Sequence, residues 1–212
     1  INKKGIKFKK VWRTILVLTI AIPQFISLLY VSKMFAKNGI INGFLMSMGW
    51  IDQALPFWED PTWARVTVII INIWIGIPYL MLITTGILMN IPQDLYESAR
   101  IDGANVWQSL FKVTIPNVMP SITICMFLSL TNGFKLFDQN LALTGGLPYL
   151  INPDGSSVHT TEMLALNIYN TFYGQNVNSR GTAQAKAVLF FILVAAIGLF
   201  QLTATRKKEV QQ

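Results

Sequence analysis

Few residues in this chain have the chemistry of a catalyst. His159 is the only histidine and lies in a Ser/Thr-rich stretch, where it reads as a solvated side chain with no partners for a metal set. No Ser/His/Asp group stands ready for hydrolysis. Cys125 is the only cysteine, which excludes a disulfide framework, and its apolar neighbours mark it as core packing. No G-x-x-x-x-G-K-[ST] phosphate loop occurs. Asp138, close to Lys135, reads as a solvated or helix-end charge. Two other features remain. One is the mixed polar and apolar segment from Ile91 to Pro116. The other is a set of polar side chains inside apolar runs: Gln24, Asn72, Thr84, Thr85 and Asn132. Within hydrocarbon such groups are costly unless they face a cavity or bond a neighbouring helix.

The elements that must position these residues are set by composition. Of 212 residues, 52% are apolar and 13% charged. Soluble domains carry roughly 25% charged residues, and the mean hydropathy of +0.46 points the same way. Several runs are about 20 residues long with almost no charge, enough to cross about 30 Å of hydrocarbon. A soluble enzyme, a fibre and a disordered tail are excluded. The reading is an all-α polytopic membrane protein with about four spans, at about Val11–Tyr30, Ala64–Met89, Val118–Leu130 and Ala183–Thr203. Pro23 should kink the first, and the short third should be broken or tilted. The basic start also has the form of a secretory signal. Pro23, Gln24, the length of the run and the three later spans argue against it. The chain reads as a single domain over 1–212. Because it begins with Ile1, a fragment or a processed product is expected.

Basic residues orient the spans. Residues 1–13, 90–117 and 205–212 hold eleven of the 17 Lys and Arg. The positive-inside rule puts both termini and the 90–117 loop in the cytoplasm, and segments 31–63 and 134–182 outside. Trp50, Trp58 and Trp63 suit an interfacial belt, and Asn42-Gly43 and Pro153-Asp154-Gly155 are turn signals. This distribution is an orientation signal and does not mark a nucleic-acid binder.

The loop at 91–116 reads as a helix–turn–helix elbow. Pro92 suits a first turn, and Asp94 with Glu97 complements the positive helix end. Gly103 permits a turn that a Cβ obstructs. Asp102 is placed to cap the next helix, in which Trp107, Leu110 and Phe111 share a face, and Pro116 should stop it. On physical grounds alone this is either a projection for a partner's groove or an ordinary interhelical loop.

The run Glu97-Ser98-Ala99, Asp102-Gly103-Ala104, then Ile115-Pro116 resembles the EAA motif of ABC-importer permeases. Ser98 stands where the motif has its second Ala, a small-for-small change. The likeness covers nearly the whole chain and is nearest the MalF-type subunits of sugar importers. It takes in Ala21-Ile22-Pro23, Phe25-Ile26-Ser27, Asn38 to Asn42, Asn72, Trp74, Gly76, Pro78-Tyr79, Phe134, Phe137 and Leu143-Thr144-Gly145-Gly146. Family members carry further spans before the first one here, in keeping with a fragment.

The resemblance implies that the elbow docks on a cytoplasmic ATPase through Glu97, Ser98, Ala99, Asp102, Gly103 and Ala104. The chain would form half of a sugar pathway, paired with a second, MalG-like permease in a bacterial inner membrane. A solute-binding protein would deliver the sugar. ATP and Mg would sit on the ATPase subunits, with no cofactor, metal or catalytic residue on this chain. Sugar-contacting positions fall by resemblance on Ile20, Gln24, Gly76, Tyr79, Asn132, Gly133 and Leu136. Asn72 joins them as an intramembrane polar group, and Trp74, Tyr79, Phe134 and Phe137 could cover sugar C–H faces. Ile20 and Gly133 are less polar than the maltose-specific pattern, which implies another sugar or a looser site. A polyol or glycerol phosphate permease and a non-transporting scaffold are the alternatives.

Overall fold

The computed structural model describes residues 8, 10–12, 14, 15, 22–174 and 179–206. Among them the helices are α1 (Gln24–Met34), α2 (Ile40–Ser47), α3 (Pro61–Met89), α4 (Gln93–Ile101), α5 (Val106–Ser109), α6 (Ile115–Phe134), α7 (Asp138–Leu143), α8 (Leu164–Tyr173) and α9 (Ser179–Arg206). One antiparallel hairpin, β1 (Tyr149–Ile151) with β2 (Ser157–His159), interrupts the helical order.

Among the described residues three helices are long and apolar enough to span a membrane: Pro61–Met89, Val106–Phe134 and Ser179–Thr203. The expected first span falls partly on residues outside the description. Val11, Trp12, Thr14 and Ile15 are helical, and from Gln24 the span continues as α1, where Pro23 takes the N-cap position. Helix α3 starts where Asp60 accepts bonds from the amides of Thr62 and Trp63, both at 2.9 Å, with Pro61 in the first turn. Its 29 residues reach about 43 Å at 1.5 Å per residue. Pro78 lies inside it, fully buried, and removes one rung of its hydrogen-bond ladder.

The third span departs from the sequence reading. It is neither short nor stopped at Pro116. A single helical path runs from Val106 to Phe134, with a π-turn at Leu110–Thr114 joining α5 to α6. The π-turn explains why Pro116 ends nothing. The Ile115 amide reaches back to the Leu110 carbonyl, and Pro116, which has no amide to place, follows in the first turn of α6.

Helices α3 and α6 are joined through α4 and α5 and pack antiparallel, which defines two ends of the molecule. At the end opposite the α4–α5 elbow lies a core of Leu28, Val68, Ile71, Ala142 and Leu143, with Phe35, Trp58, Ile75 and Met163 packed against it. Buried amides fasten the loops there. Asn42 is not a turn residue as its sequence suggested. It sits inside α2, fully buried, and donates to the carbonyls of Lys37 (3.2 Å) and Leu55 (3.1 Å) while accepting from the Leu55 amide (2.9 Å). Asn140 donates to the Thr161 carbonyl (2.8 Å) and accepts from the Met163 amide (2.9 Å). Trp58 is half-buried and donates to the Ser32 carbonyl, so it is core; Trp50 and Trp63 stay exposed, as an interfacial belt requires. The Pro153-Asp154-Gly155 turn forms as expected, with Gly155 at φ 81°. The Ser156 hydroxyl and amide both donate to Asp154 and hold its carboxyl below the usual range.

Candidate functional site: the elbow and a polar track

The elbow is built by two capping motifs in succession. Asp94 lies in the first turn of α4 and Arg100 in its last, both matched to the helix dipole. At its end the Gly103 amide bonds the Arg100 carbonyl (3.0 Å) and the Ala104 amide bonds the Ala99 carbonyl (2.9 Å). That double bond pattern with Gly103 at φ 74° is a Schellman C-cap. Ala99, Asp102, Gly103 and Ala104 are thus consecutive parts of one turn, and Glu97 and Ser98 stand exposed on the helix it ends. A Cβ on Gly103 would meet nothing within 4 Å, so the glycine is required by backbone conformation and not by crowding.

Asp102 does not cap the following helix. It is the C-cap residue of α4, and Asn105 opens α5 through a capping box with Gln108, each bond 2.8 Å. Asx at either position satisfies the sequence pattern; the Schellman turn occupies 102–104 and leaves only Asn105 free to cap. The face beyond is strongly apolar and bare. Ile101 is 86% exposed, Val106 74%, Trp107 69% and Phe111 62%. Trp107 and Phe111 stack with ring centres 6.3 Å apart and planes at 21°. A side chain of this kind gains about 1.5–3 kcal/mol when fully buried, so the elbow carries a preassembled apolar face that burial would stabilise.

The pathway candidates are distributed along the spans. On α3, Asn72, Gly76 and Tyr79 recur at i, i+4 and i+7 and form one stripe. It lies about 100° around the helix from the buried stripe of Ala64, Val68, Ile71 and Pro78. Asn72 and Tyr79 are exposed on it. Gln24 opens α1 and is exposed, Asn132 is exposed near the end of α6, and Leu136 is half-buried in the link to α7. Ile20 lies outside the described residues. Gly133 and Phe134 enter a cavity of about 460 Å³ with His159, Glu162 and Asn167. The structure brings these five together; it does not place Gln24, Asn72 or Tyr79 in that cavity. Among the ring candidates, Trp74 is exposed on the side of α3 away from the stripe, and Phe137 packs on Tyr169 at 5.0 Å in a separate, nearly apolar cavity. Thr84 and Cys125 line a third, of about 270 Å³, between α3 and α6.

Two readings of the far end need correction. His159 is not solvated: it is half-buried, packs against Tyr149 at 4.5 Å, and its Nδ1 is buried with no partner. The hairpin register sets Tyr149 opposite it. A polar network also went unread. Lys186, inside α9, donates to Asn167 (2.8 Å) and Thr171 (2.9 Å), and Asn167 and Asn170 donate to the Glu162 carboxylate at 2.7 and 2.6 Å. A lysine within an apolar run was the available signal.

Matching against protein families places residues 2–208 in the family described as binding-protein-dependent transport system inner membrane component. The maltose/maltodextrin transport system permease protein MalF of Klebsiella aerogenes is 35% identical over 206 residues, 97% of this chain and 40% of that protein. The probable starch degradation products transport system permease protein AmyD of Thermoanaerobacterium thermosulfurigenes is 34% identical, over 88% of this chain and 68% of its own length. The chain thus spans about two fifths of the MalF proteins it matches. In structure it matches, over 100% of its length and 69% of the other chain, a bacterial ABC transporter involved in import of the acidic polysaccharide alginate, with a TM-score of 0.81 at 22% identity. That likeness carries the fold alone. With the family description covering nearly every residue and three helices fit to span a bilayer, this chain belongs to the inner membrane components of binding-protein-dependent transport systems.

Proposed function

We propose that the chain is a permease subunit of an ATP-driven importer and forms half of the pathway for a sugar or oligosaccharide. The elbow carries this reading. A Schellman turn and a capping box hold a rigid pair of helices, and the stacked Trp107 and Phe111 stand bare on a loop where an ordinary interhelical connection would be polar. Such a face suits the cleft of a cytoplasmic ATPase, with Glu97, Ser98, Ala99, Asp102, Gly103 and Ala104 forming the docking helix and its turn. The elbow end and both termini then lie in the cytoplasm, in accord with the charge distribution, and the hairpin end lies outside.

Four further elements belong to this reading. A second, MalG-like permease covers the bare faces of the spans. ATP and Mg are held by two ATPase subunits. A solute-binding protein docks outside, as one does in the solved alginate transporter in complex with its periplasmic protein. The solute passes Asn72, Gly76 and Tyr79 on α3 and Asn132, Gly133 and Leu136 at the end of α6, with Gln24 and Ile20 contributed by the first span. The names of the relatives, maltodextrin and starch products, favour a saccharide over a polyol or glycerol phosphate.

The test is purification of the assembled transporter in mild detergent, wild type against Gly103→Trp. The wild type should bring an ATPase and a second permease. The variant should keep the permease and lose the ATPase and, in membranes, lose maltotriose uptake. Normal uptake by Gly103→Trp would sink the coupling assignment, and absence of any ATPase with the wild type would favour a scaffold.

A further inference from the structure

Helix α4 meets the rest of the described chain chiefly at the π-turn, and one polar contact defines that meeting. The Tyr96 hydroxyl lies 3.0 Å from Oγ1 of Thr114, the last residue of the π-turn. Thr114 Oγ1 also lies 3.3 Å from the Ser109 carbonyl, and either hydroxyl can be the donor across the Tyr96–Thr114 contact. Tyr96 is half-buried on a helix whose other residues are mostly exposed. Its neighbour in sequence, Glu97, opens the docking segment.

The π-turn is the one irregular point between the elbow and the rod it continues into. Here the ladder changes from i→i+4 to i→i+5, with the Ile115 amide on the Leu110 carbonyl. Pro116 and Pro120 follow and remove two further rungs. The Asn117 side chain also donates to the Val113 carbonyl at 2.8 Å. A helix that carries a π-turn and two prolines within about three turns bends there at little cost. Beyond it, α6 runs to Asn132 and Gly133, 18 residues from Thr114, or about 27 Å of rod. A small rotation at the π-turn is therefore magnified at the pathway end.

We propose that the Tyr96–Thr114 hydrogen bond, gripping the π-turn, is the link through which movement of the elbow reaches the pathway helix α6. Tyr96 and Thr114 are positioning residues: neither touches the solute or the ATPase, and each acts by fixing how α4 sits on the base of α6. The inference rests on the coupling role proposed above. It adds to it which bond transmits the motion.

The test uses the complete transporter in lipid nanodiscs, with the full-length subunit, its partner permease and its ATPases, and Cys125→Ser throughout. Nitroxide labels are placed at Leu130 on α6 and Ile70 on α3. The distance between them is read by double electron–electron resonance without nucleotide and with ATP and vanadate. In otherwise unchanged protein the nucleotide should shift the distance. Tyr96→Phe should reduce the shift to less than half, with the ATPases still bound. Thr114→Val should do the same from the other side of the bond, and it serves where Tyr96→Phe fails to assemble. Thr114→Ser, which retains the hydroxyl, should keep the shift. The double variant should lose no more than either single one. A full shift in Tyr96→Phe and Thr114→Val, or losses that add in the double variant, overturns the inference. If Gly103→Trp abolishes the shift and the Tyr96 and Thr114 variants do not, this inference alone fails. If the unchanged protein shows no shift, the coupling role fails and this link with it.

Discussion

The two ends of the molecule use opposite designs. At the hairpin end, α1, the start of α3 and α7 close on Leu28, Val68, Ile71 and Leu143, and buried amides at Asn42 and Asn140 tie the loops to them. At the elbow end almost nothing is buried: Ile91 is the one buried residue between 90 and 117, and the large apolar side chains stand outward. The hairpin end is held by its own contacts. The elbow end is held by its helix caps and leaves its apolar surface exposed. On the function proposed above, stability and recognition fall to different ends, so substitutions at each should fail in different ways.

The largest effect is expected in the core. Leu28→Ala removes a fully buried side chain from the centre of the hairpin-end cluster and should cost about 3–5 kcal/mol. The check is a lowered unfolding midpoint of the assembled transporter. Asn140→Ala leaves the Thr161 carbonyl and the Met163 amide without partners in a buried place, at about 2–3 kcal/mol. Asn140→Asp tests the assignment further, since it keeps the acceptor for Met163 and loses the donor to Thr161. At the elbow, Gly103→Ala forces a Cβ into the left-handed region at about 1–2 kcal/mol. It should weaken ATPase retention in a pull-down more than it lowers the midpoint. Trp107→Ala should leave stability within about 0.5 kcal/mol, because the ring is exposed, and still reduce ATPase retention. A Trp107 variant that unfolds the protein, or a Leu28 variant that alters only ATPase binding, would break the contrast.

The elbow was legible because its cause is local. A glycine with positive φ, an Asx cap and a proline act over three or four residues, and their spacing is visible in a string of letters. Even there the reading slipped where two local solutions compete. Asp102 and Asn105 are both good caps, and only the folded turn shows that Asn105 does the capping. Pro116 reads as a stop, and the π-turn before it, which no propensity announces, absorbs it. For the network of Lys186, Asn167 and Glu162 the lysine in an apolar run is a signal, and its partners are hidden for another reason. Its members are brought together by the packing of α8 on α9, 5 to 24 residues apart along the chain.

Composition and hydropathy by themselves determined that this chain is a bundle of membrane helices, because crossing hydrocarbon demands long apolar runs with internally bonded backbone. Local chemistry determined that an elbow interrupts them between residues 91 and 116. Tertiary structure decided what sequence distance hides. His159 turned inward against Tyr149, Asn42 became a core pin rather than a turn, and Gly133 and Phe134 met Glu162 across a shared cavity. It also decided that α3, α6 and α9 remain nearly unburied within the chain, at 22%, 6% and 0% of their most apolar windows. The physical reason is that burial depends on which surfaces are brought together. In a membrane, apolar letters look the same whether they face a neighbouring helix or lipid.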